Sequence, residues 1–175
     1  GRSIEAYSMY EELVKCSDLL TQFGGHPMAA GLSLEEENVE RFRRKLNEQS
    51  GLTEEDLVEK VTIDVPMPIH YIRKDLVQEL SLLEPFGKGN EKPLFAQKNL
   101  WVSQMRVFGK NRNVVKMRLT DENGYPMDGV YFGNGDEFAE EGRGKRKISI
   151  VYYPDINMYQ GRESLQVIIR HYQFD

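Results

Sequence analysis

The segment that decides the fold lies at residues 99–120. It consists of Asn99-Leu-Trp-Val-Ser-Gln-Met-Arg-Val-Phe108, Gly109-Lys-Asn-Arg-Asn113 and Val114-Val-Lys-Met-Arg-Leu-Thr120. Polar and apolar side chains alternate through the first and third pieces, and this period of two predicts β-strands. The glycine and the two asparagines between them predict a hairpin turn. We therefore expect an antiparallel strand pair in the second half of the chain.

Three further strands are expected beyond this hairpin. The same alternation places them at 127–132, at 148–159 with a break at Pro154, and at 164–173, and a short helix is expected at 136–141. Five short strands with one small helix between the third and the fourth are the layout of an OB-fold, a partly open five-stranded β-barrel. We therefore expect this architecture for the second half of the chain.

The first half combines helical and extended patterns. Apolar residues recur at helical spacing over 3–20, 38–49 and 73–83, and short strands are expected at 29–34 and 57–67. The turn-rich run Glu84-Pro-Phe-Gly-Lys-Gly-Asn90 cannot remain helical. It predicts a boundary between a small α/β domain at 1–90 and the β-barrel domain at 91–175, which together make an α+β protein.

Composition limits the functional classes. The chain has 175 residues, of which 29% are charged and 39% hydrophobic, as in globular proteins. No apolar run approaches the roughly 20 residues that a membrane-spanning helix needs, so no membrane association is expected. The single cysteine, Cys16, excludes an internal disulfide and, with only three histidines, a zinc finger. We expect a cytoplasmic protein, and the start at Gly1 without a signal peptide indicates a piece of a longer chain.

Charge is distributed unevenly along the sequence. Residues 1–91 carry 10 Lys and Arg against 18 Asp and Glu, whereas residues 92–175 carry 13 against 10. Seven basic residues and no acidic one lie between Lys92 and Thr120, and the second half also holds 12 of the 18 aromatic residues. Basic residues interleaved with aromatic ones are typical of surfaces that bind single-stranded nucleic acid. A solvated strand pair is the alternative interpretation.

The candidate nucleic-acid-binding residues lie on or near the predicted hairpin, because OB-folds bind oligonucleotides around their second and third strands. Those expected to contact the phosphate backbone are Lys110, Arg112, Lys116 and Arg118. Those expected to stack on bases are Trp101, Phe108 and Tyr131, each of which has core packing as its alternative.

The most specific local motif is Gly24-Gly25-His26-Pro-Met-Ala-Ala-Gly31. Paired glycines let a backbone approach a ligand closely, and consecutive N–H groups in such a turn can point at one anion. His26 can donate a hydrogen bond to a phosphate oxygen. A tight turn whose histidine is satisfied by hydrogen bonds within the protein is the alternative interpretation for so short a motif.

Together these motifs resemble one family. The octapeptide is similar to the glycine–histidine motif of the DHHA1 domain, the second domain of DHH-family phosphoesterases. The runs at 1–4, 16–23, 83–90, 93–95 and 156–166 resemble runs of the RecJ family of single-strand-specific exonucleases. The resemblance covers nearly the whole chain in order.

The resemblance implies a 5′-to-3′ exonuclease that acts on single-stranded DNA in recombination and repair, with Mn²⁺ or Mg²⁺ held by an N-terminal DHH domain. This sequence has no Asp-His-His triplet, so we assign no catalytic or metal-binding residue and no cofactor, and we expect no hydrolysis by this chain alone. By the same resemblance, Gly24, Gly25 and His26 would line the phosphate side of the active-site cleft. Arg2 and Ser3 would contact the DNA end or its 5′ phosphate.

Two other functions fit the same residues. One is a DHHA1 phosphoesterase acting on short oligonucleotides, which the long basic track disfavours. The other is an interaction module whose β-domain binds a protein, such as a single-strand-binding protein or a helicase, and the acidic runs at 35–37 and 54–56 leave room for it. Salt dependence separates these classes, because phosphate binding weakens steeply as salt rises.

Overall fold

The computed structural model describes all residues from Gly1 to Asp175, which divide into two compact units, Gly1–Lys60 and Val61–Asp175. The first unit contains α1 (Met9–Val14), β1 (Gln22–His26), β2 (Ala29–Ser33) and α2 (Val39–Gln49). Short 3-10 helical turns lie at Ser17–Leu19, Glu36–Asn38 and Glu54–Leu57. The helix expected at 38–49 is confirmed by α2.

The second unit contains six strands and two helices. In chain order these are β3 (Val65–Pro66), α3 (Lys74–Ser81), β4 (Phe95–Phe108), β5 (Val114–Thr120), β6 (Pro126–Phe132), α4 (Gly135–Glu141), β7 (Lys147–Tyr159) and β8 (Arg162–Phe174), with a 3-10 turn at Ile69–Tyr71. The five expected strands and the small helix are all present. Strand β7 runs through Pro154 without the expected break, because its pairing with β8 continues on both sides of the proline.

In the first unit, the glycine motif forms a β-hairpin rather than a loop followed by a strand. Strands β1 and β2 pair antiparallel, with Gly24 opposite Gly31 and His26 opposite Ala29. Two residues form the tight turn between them. The motif is therefore part of a two-stranded sheet, and its glycines lie within paired strands.

The helix expected at 3–20 is much shorter in the structure. Residues at the start of the chain pair with the hairpin instead: Arg2 forms a β-bridge with Ala29, and the Ser3 N–H donates to the Met28 carbonyl at 2.9 Å. The helical pattern becomes regular only at α1, where the Ser8 side chain caps the first turn by accepting from the Glu11 N–H.

The second unit begins well before the boundary expected at 90/91. Ile69 and Ile72 are fully buried in its core, and the Tyr152 hydroxyl donates to the Met67 carbonyl at 2.6 Å. The strand expected at 57–67 is only two residues long, because only β3 pairs with β4. The residues before position 91 therefore pack with the β-strands that follow them.

Strand β4 organises the sheet of this unit. It pairs antiparallel with β7 along its first half and with β5 along its second half. The register shifts once in each half, and Asn99 and Gln104 lie at these shifts with φ of 60° and 52°. Such bulges bend a strand and increase its twist, which lets β4 leave one neighbour and join another.

The remaining pairings connect the other strands in turn. Strand β5 pairs with β6, β6 pairs in parallel with β8, and β8 pairs with β7. The five strands therefore follow one another in the order β4-β5-β6-β8-β7 and return to β4. This is an OB-like sheet with one α-helix, α4, between its third and fourth strands.

The apolar core lies on the inner side of these strands. Alternate residues of β5 and β7 point inward and are at most 3% exposed: Val115, Met117, Leu119, Ile148, Ile150 and Tyr152. From α4, Phe138 packs between Tyr172 and Phe174, with ring centroids 4.3 and 5.0 Å away. Burying each such side chain stabilises the fold by about 1.5–3 kcal/mol.

A buried carboxylate joins the segment before β4 to the strands. The Asp121 side chain has no exposure; its Oδ2 lies 2.8 Å from His70 Nδ1, and its Oδ1 accepts from the N–H groups of Asn123 and Tyr125. Burial opposes ionisation. The hydrogen bonds from Tyr125, His70 and Asn123 outweigh it and hold the pKa of Asp121 below its usual value.

We predict that Asp121→Asn lowers the free energy of unfolding at pH 7 by about 1–3 kcal/mol, because charge-assisted hydrogen bonds are lost. A lowered folded-state pKa gives stability that is present above the unfolded pKa of about 3.9 and is lost as pH falls through the folded pKa. The difference between the two proteins should therefore shrink below about pH 4. Urea unfolding by circular dichroism from pH 7 to pH 3 measures it.

The matched control is Glu122→Gln, which removes a neighbouring exposed carboxylate and should change stability by less than about 0.5 kcal/mol. A difference between Asp121→Asn and the unmodified chain that stays constant down to pH 3 would contradict this role of the Asp121 charge.

Candidate nucleic-acid interface

The outer side of the second unit presents one residue from each of the five paired strands in a single line. We call this line the outer row: Arg106 of β4, Lys116 of β5, Val130 of β6, Ile168 of β8 and Tyr153 of β7. Each lies directly opposite the next in register. Their neighbours in sequence belong to the core, so strand alternation makes this row face outward.

The chemistry of the outer row changes along its length. Arg106 and Lys116 are exposed, and neither forms an ion pair. Val130 and Ile168, at the centre, are only 3% and 5% exposed. The row is therefore basic at the β4 end and apolar in the middle, and it ends on the aromatic ring of Tyr153.

A row of polar residues lies beside the outer row, two residues away along each strand. Arg118, Asp128, Gln166 and Asp155 are opposite one another on β5, β6, β8 and β7. Arg118 forms an ion pair with Asp128, and the Gln166 amide donates to Asp155 at 2.8 Å. An open groove of about 280 Å³ extends from the β4 and β5 residues of both rows to β6 and β8, and it is lined mainly by polar side chains. Arg118 is therefore at the groove, but part of its charge is neutralised.

Exposed aromatic rings lie next to the basic end of the outer row. Phe108 and Phe132 flank Val114 in register and are 45% and 59% exposed. Trp101 is 46% exposed, and the Lys147 ammonium lies 4.8 Å from the centre of its ring. Two of the three predicted stacking residues, Trp101 and Phe108, are thus available at the surface.

Tyr131, the third predicted stacking residue, faces the opposite way. Its ring stacks on Phe138 at 4.8 Å between centroids and meets Tyr172 edge-on at 5.2 Å. It packs against the apolar core. The structure therefore assigns Tyr131 to packing, because its position in β6 alternates with the outward-facing Val130.

Lys110 and Arg112 lie in the turn between β4 and β5. Lys110 is exposed and without an ion pair, whereas Arg112 binds Asp136 of α4 through two nitrogens at 2.6–2.9 Å. The Arg112 guanidinium holds the pKa of Asp136 below its usual value. The Arg112 carbonyl also accepts from the Gly135 N–H at 3.0 Å. Arg112 therefore ties the turn to α4 and is the least free of the four predicted cations.

Two residues of this surface escaped the sequence prediction. Arg106 lies directly opposite Lys116, and Phe132 lies two positions after Val130 on the same outward face. Arg106 lies two residues before Phe108 in β4, and residues two apart in a strand point to the same face. This spacing was a signal in the sequence that the Arg106 side chain points outward. The pairing with Lys116 depended on a register shift that the sequence does not reveal.

In the first unit, the hairpin presents a surface with few side chains. Gly24 and Gly31 are opposite each other, and a Cβ at either would meet nothing within 4 Å. His26 and Arg2 lie on the two sides of Ala29, in neighbouring strands of the same row. Two strand spacings of about 4.8 Å separate them. The structure therefore brings Arg2 and His26 to one face, with only small residues between them.

The hydrogen bonds of this hairpin assign roles to its side chains. His26 Nδ1 accepts from the Met28 N–H at 3.3 Å, so a neutral ring has its proton on Nε2, where it can donate to a ligand. The Ser3 hydroxyl donates to the Tyr7 carbonyl, which leaves Ser3 as a structural contact. Arg2 is exposed and without an ion pair.

Gly25 has a different role from Gly24. Its φ is 148°, and a Cβ there would lie 2.4 Å from the Ala29 carbonyl oxygen and 2.5 Å from the Ala30 Cα. Both are backbone atoms that cannot move without disturbing the strand pair. Gly25 is therefore required by the fold, whereas Gly24 has no packing reason to be glycine.

The structure shows neither a cluster of metal-ligating side chains nor a helix suited to a membrane. No group of three or more His, Cys, Asp or Glu side chains is placed to hold a metal ion, so the Mn²⁺ or Mg²⁺ implied by the family resemblance enters no step proposed below. None of the helices has the length and apolar character needed to cross a membrane.

The strand order and the position of α4 define the second unit as an OB-like domain. Residues 63–171 match the family model of the RecJ OB domain. The chain is 37% identical over 174 residues to the single-stranded-DNA-specific exonuclease RecJ of Bacillus subtilis and 34% identical over 176 residues to that of Salmonella typhimurium. It belongs to the RecJ family.

Solved structures show the same fold. The crystal structure of RecJ in complex with Mn²⁺ from Thermus thermophilus matches 98% of this chain with a TM-score of 0.76 at 23% identity, and the Mg²⁺ complex matches with a TM-score of 0.75. The two sequence matches include 97% of this chain. They cover only 22% of the Bacillus subtilis protein and 30% of the Salmonella typhimurium protein. It corresponds to a quarter of the crystal chains, 24% and 26%.

We predict that Gly25→Ala destabilises the hairpin by about 1–3 kcal/mol, because a Cβ clashes with backbone and the φ is unfavourable for alanine. Gly24→Ala is the matched control and should be tolerated within about 0.5 kcal/mol. Native-state hydrogen exchange of the β1 and β2 amides measures the change. Equal protection factors in the two variants would contradict the assigned role of Gly25.

Proposed function

We propose that this chain binds single-stranded DNA for an exonuclease of the RecJ type, with the basic end of the outer row on the phosphate backbone. The observation that supports this most directly is the pairing of Arg106 with Lys116. Two cations without ion pairs lie directly opposite each other on an OB-like face, and the exposed ring of Phe108 lies two residues from Arg106. Adjacent cations and rings fit the alternating phosphates and bases of a single strand.

The neighbouring side chains support a single strand more than a duplex. Bases that are not paired expose flat faces, which can stack on Phe108, Phe132 or Trp101. A duplex hides those faces and offers only phosphates at its surface. We therefore infer that the rings supply the preference for single strands and that the cations supply most of the affinity. In this proposal the ring of five strands is an OB barrel, and Lys110 and Arg118 are secondary phosphate contacts.

For the first unit, we propose a DHHA1-type role in which the hairpin binds a phosphate of the same substrate. Ala29 lies between Arg2 and His26, and Gly24 and Gly31 form the next pair on the same face, two residues along the strands. A phosphate can therefore approach the backbone closely, accept from His26 Nε2 and pair with the Arg2 guanidinium. The exposed position of both side chains suits a substrate that enters from solvent.

The reaction itself is proposed to belong to the whole RecJ-type protein. This chain spans less than a third of the relatives that it matches, and the metal that the family resemblance implies would be held outside it. We infer that the chain contributes substrate binding in DNA recombination and repair. No protein partner is needed for this role. A single-strand-binding protein or a helicase remains the prediction of the alternative, an interaction module.

We predict that Arg106→Gln with Lys116→Gln weakens binding of a fluorescein-labelled single-stranded oligonucleotide and reduces the slope of log K against log salt by about 1.4. Each phosphate contact on a single strand contributes about 0.7 to that slope. Fluorescence anisotropy of the intact chain at 50–200 mM salt measures both quantities, and a duplex of the same length tests the preference for single strands.

The matched control is Arg143→Gln. Arg143 is an exposed arginine just after α4 that pairs with Glu140 of that helix. This variant should leave the salt slope within about 0.2 of the original value, since no phosphate contact is lost. Affinity that does not depend on salt, or that is equal for the double variant and the unmodified chain, would contradict the proposed phosphate contacts and favour the interaction module.

A second prediction concerns His26 and the 5′ end. His26→Gln keeps a donor near the position of Nε2, whereas His26→Asn keeps the acceptor for the Met28 N–H but cannot reach as far. We expect His26→Gln to retain most of any preference for a 5′-phosphate over a 5′-hydroxyl and His26→Asn to lose it, by roughly tenfold in relative affinity. Anisotropy with the two oligonucleotides measures this ratio.

His171→Asn makes the same change in the second unit and serves as the control. If His26→Asn and His171→Asn give the same ratio for the two oligonucleotides, the hairpin does not recognise the 5′ phosphate.

A further inference from the structure

The far end of the outer row, on β7, holds a second basic and aromatic site. The Lys92 ammonium lies 4.0 Å from the centre of the Tyr153 ring and 5.4 Å from that of Phe86. A cation over two rings is held in place without a carboxylate partner. Its charge therefore remains available to an anion that approaches from solvent.

A β-bulge adds a second cation to this site. Ile169 pairs with Tyr152 and His171 pairs with Val151, so Arg170 is the extra residue between two regular pairs. Bulges redirect a side chain relative to the alternation of its strand. Arg170 is exposed, forms no ion pair, and lines the same open depression as Phe86, Lys92 and Tyr153.

A third cation comes from a turn with fixed geometry. Gly87 and Asn90 exchange two backbone hydrogen bonds at 2.9 and 3.0 Å, and the Asn90 amide donates to the carbonyls of Leu83 and Pro85. Lys88 lies inside this turn and lines the depression. The turn-rich run therefore presents Lys88 from a structured loop.

The depression has a volume of about 600 Å³ and is open to solvent. Its charged lining is Lys88, Lys92, Arg170 and a single carboxylate, Glu91. None of the three cations forms an ion pair. Three unpaired cations with two aromatic rings favour a ligand that combines anionic and flat apolar groups, as nucleotides do.

We propose that this depression is a second nucleotide-binding subsite, in which Lys88, Lys92 and Arg170 hold a phosphodiester of the same single strand. The inference rests on the proposed function. The strand would cross all five β-strands along the outer row, from Arg106 and Lys116 over the buried Val130 and Ile168 to Tyr153. Val130 and Ile168 are only 3% and 5% exposed, so at the centre of the row the strand would pass over the side chains that cover them.

The dimensions of the row set the length of strand that it can hold. Four spacings of about 4.8 Å separate β4 from β7, so the row is about 19 Å long. OB-folds bind roughly 4–16 nucleotides. Oligonucleotides too short to cross the row should bind at one end only and should not respond to changes at the other end.

The test uses anisotropy of the intact chain with oligo-dT of 3 and 12 nucleotides. Arg170→Gln should weaken the 12-mer by roughly threefold or more at 50 mM salt and reduce its salt slope by about 0.7. Glu91→Gln should strengthen the 12-mer, because it removes the only carboxylate of the depression. Arg162→Gln is the matched control: an exposed arginine without an ion pair on the same strand, at its opposite end.

The outcomes separate the two proposals. If Arg106→Gln with Lys116→Gln weakens the 12-mer but Arg170→Gln behaves like Arg162→Gln, the second subsite is wrong and the proposed function stands. If neither end matters, the proposed function fails as well. A 3-mer that binds as tightly as the 12-mer would also overturn the path along the row, because a strand held at both ends should bind more tightly than one held at a single end. A Glu-rich peptide of equal charge that displaces the 12-mer only from the Arg170 end would instead identify the depression as a protein-docking site.

Discussion

The double pairing of β4 is the constraint on which the second unit depends. One strand pairs with β7 in its first half and with β5 in its second half, and residues with left-handed φ at Asn99 and Gln104 allow the bends. This arrangement brings five strands into mutual register and separates an inner apolar side from an outer side. Its pairing with β5 places Arg106 opposite Lys116, and the pairings of β5, β6, β8 and β7 continue the outer row to Tyr153.

Electrostatics on the outer side distinguish cations with different roles. Arg112 and Arg118 each pair with an aspartate of a neighbouring element, Asp136 and Asp128, whereas Arg106 and Lys116 have no such partner. A paired arginine stabilises the local structure and must give up its partner to bind phosphate. An unpaired cation on a structured strand has no such cost, so its full charge is available to a ligand.

The phosphate site proposed for the first unit depends on a different principle. There the important feature is the small size of the side chains: Ala29, Gly24 and Gly31 lie on the face that carries Arg2 and His26. Gly25 permits the close approach of β2 at a φ that other residues avoid. In the proposed function, small residues and the His26 donor would contact a phosphate in this unit, as the cations of the outer row would on the β-strands.

The sequence by itself determined the local elements and the composition of the surface. Alternation fixed β5, helical spacing fixed α2, and the basic run located the face with Lys116. It could not determine that Tyr131 packs on Phe138, that Arg112 binds Asp136, or that residues 61–90 join the strands through Ile69, Ile72 and Asp121. An alternating sequence pattern shows that successive side chains point to opposite faces of a strand. It does not show which of the two sets faces the core, or which strand lies opposite. Those outcomes depend on register shifts and on contacts between residues far apart in the chain, which only the tertiary structure decides.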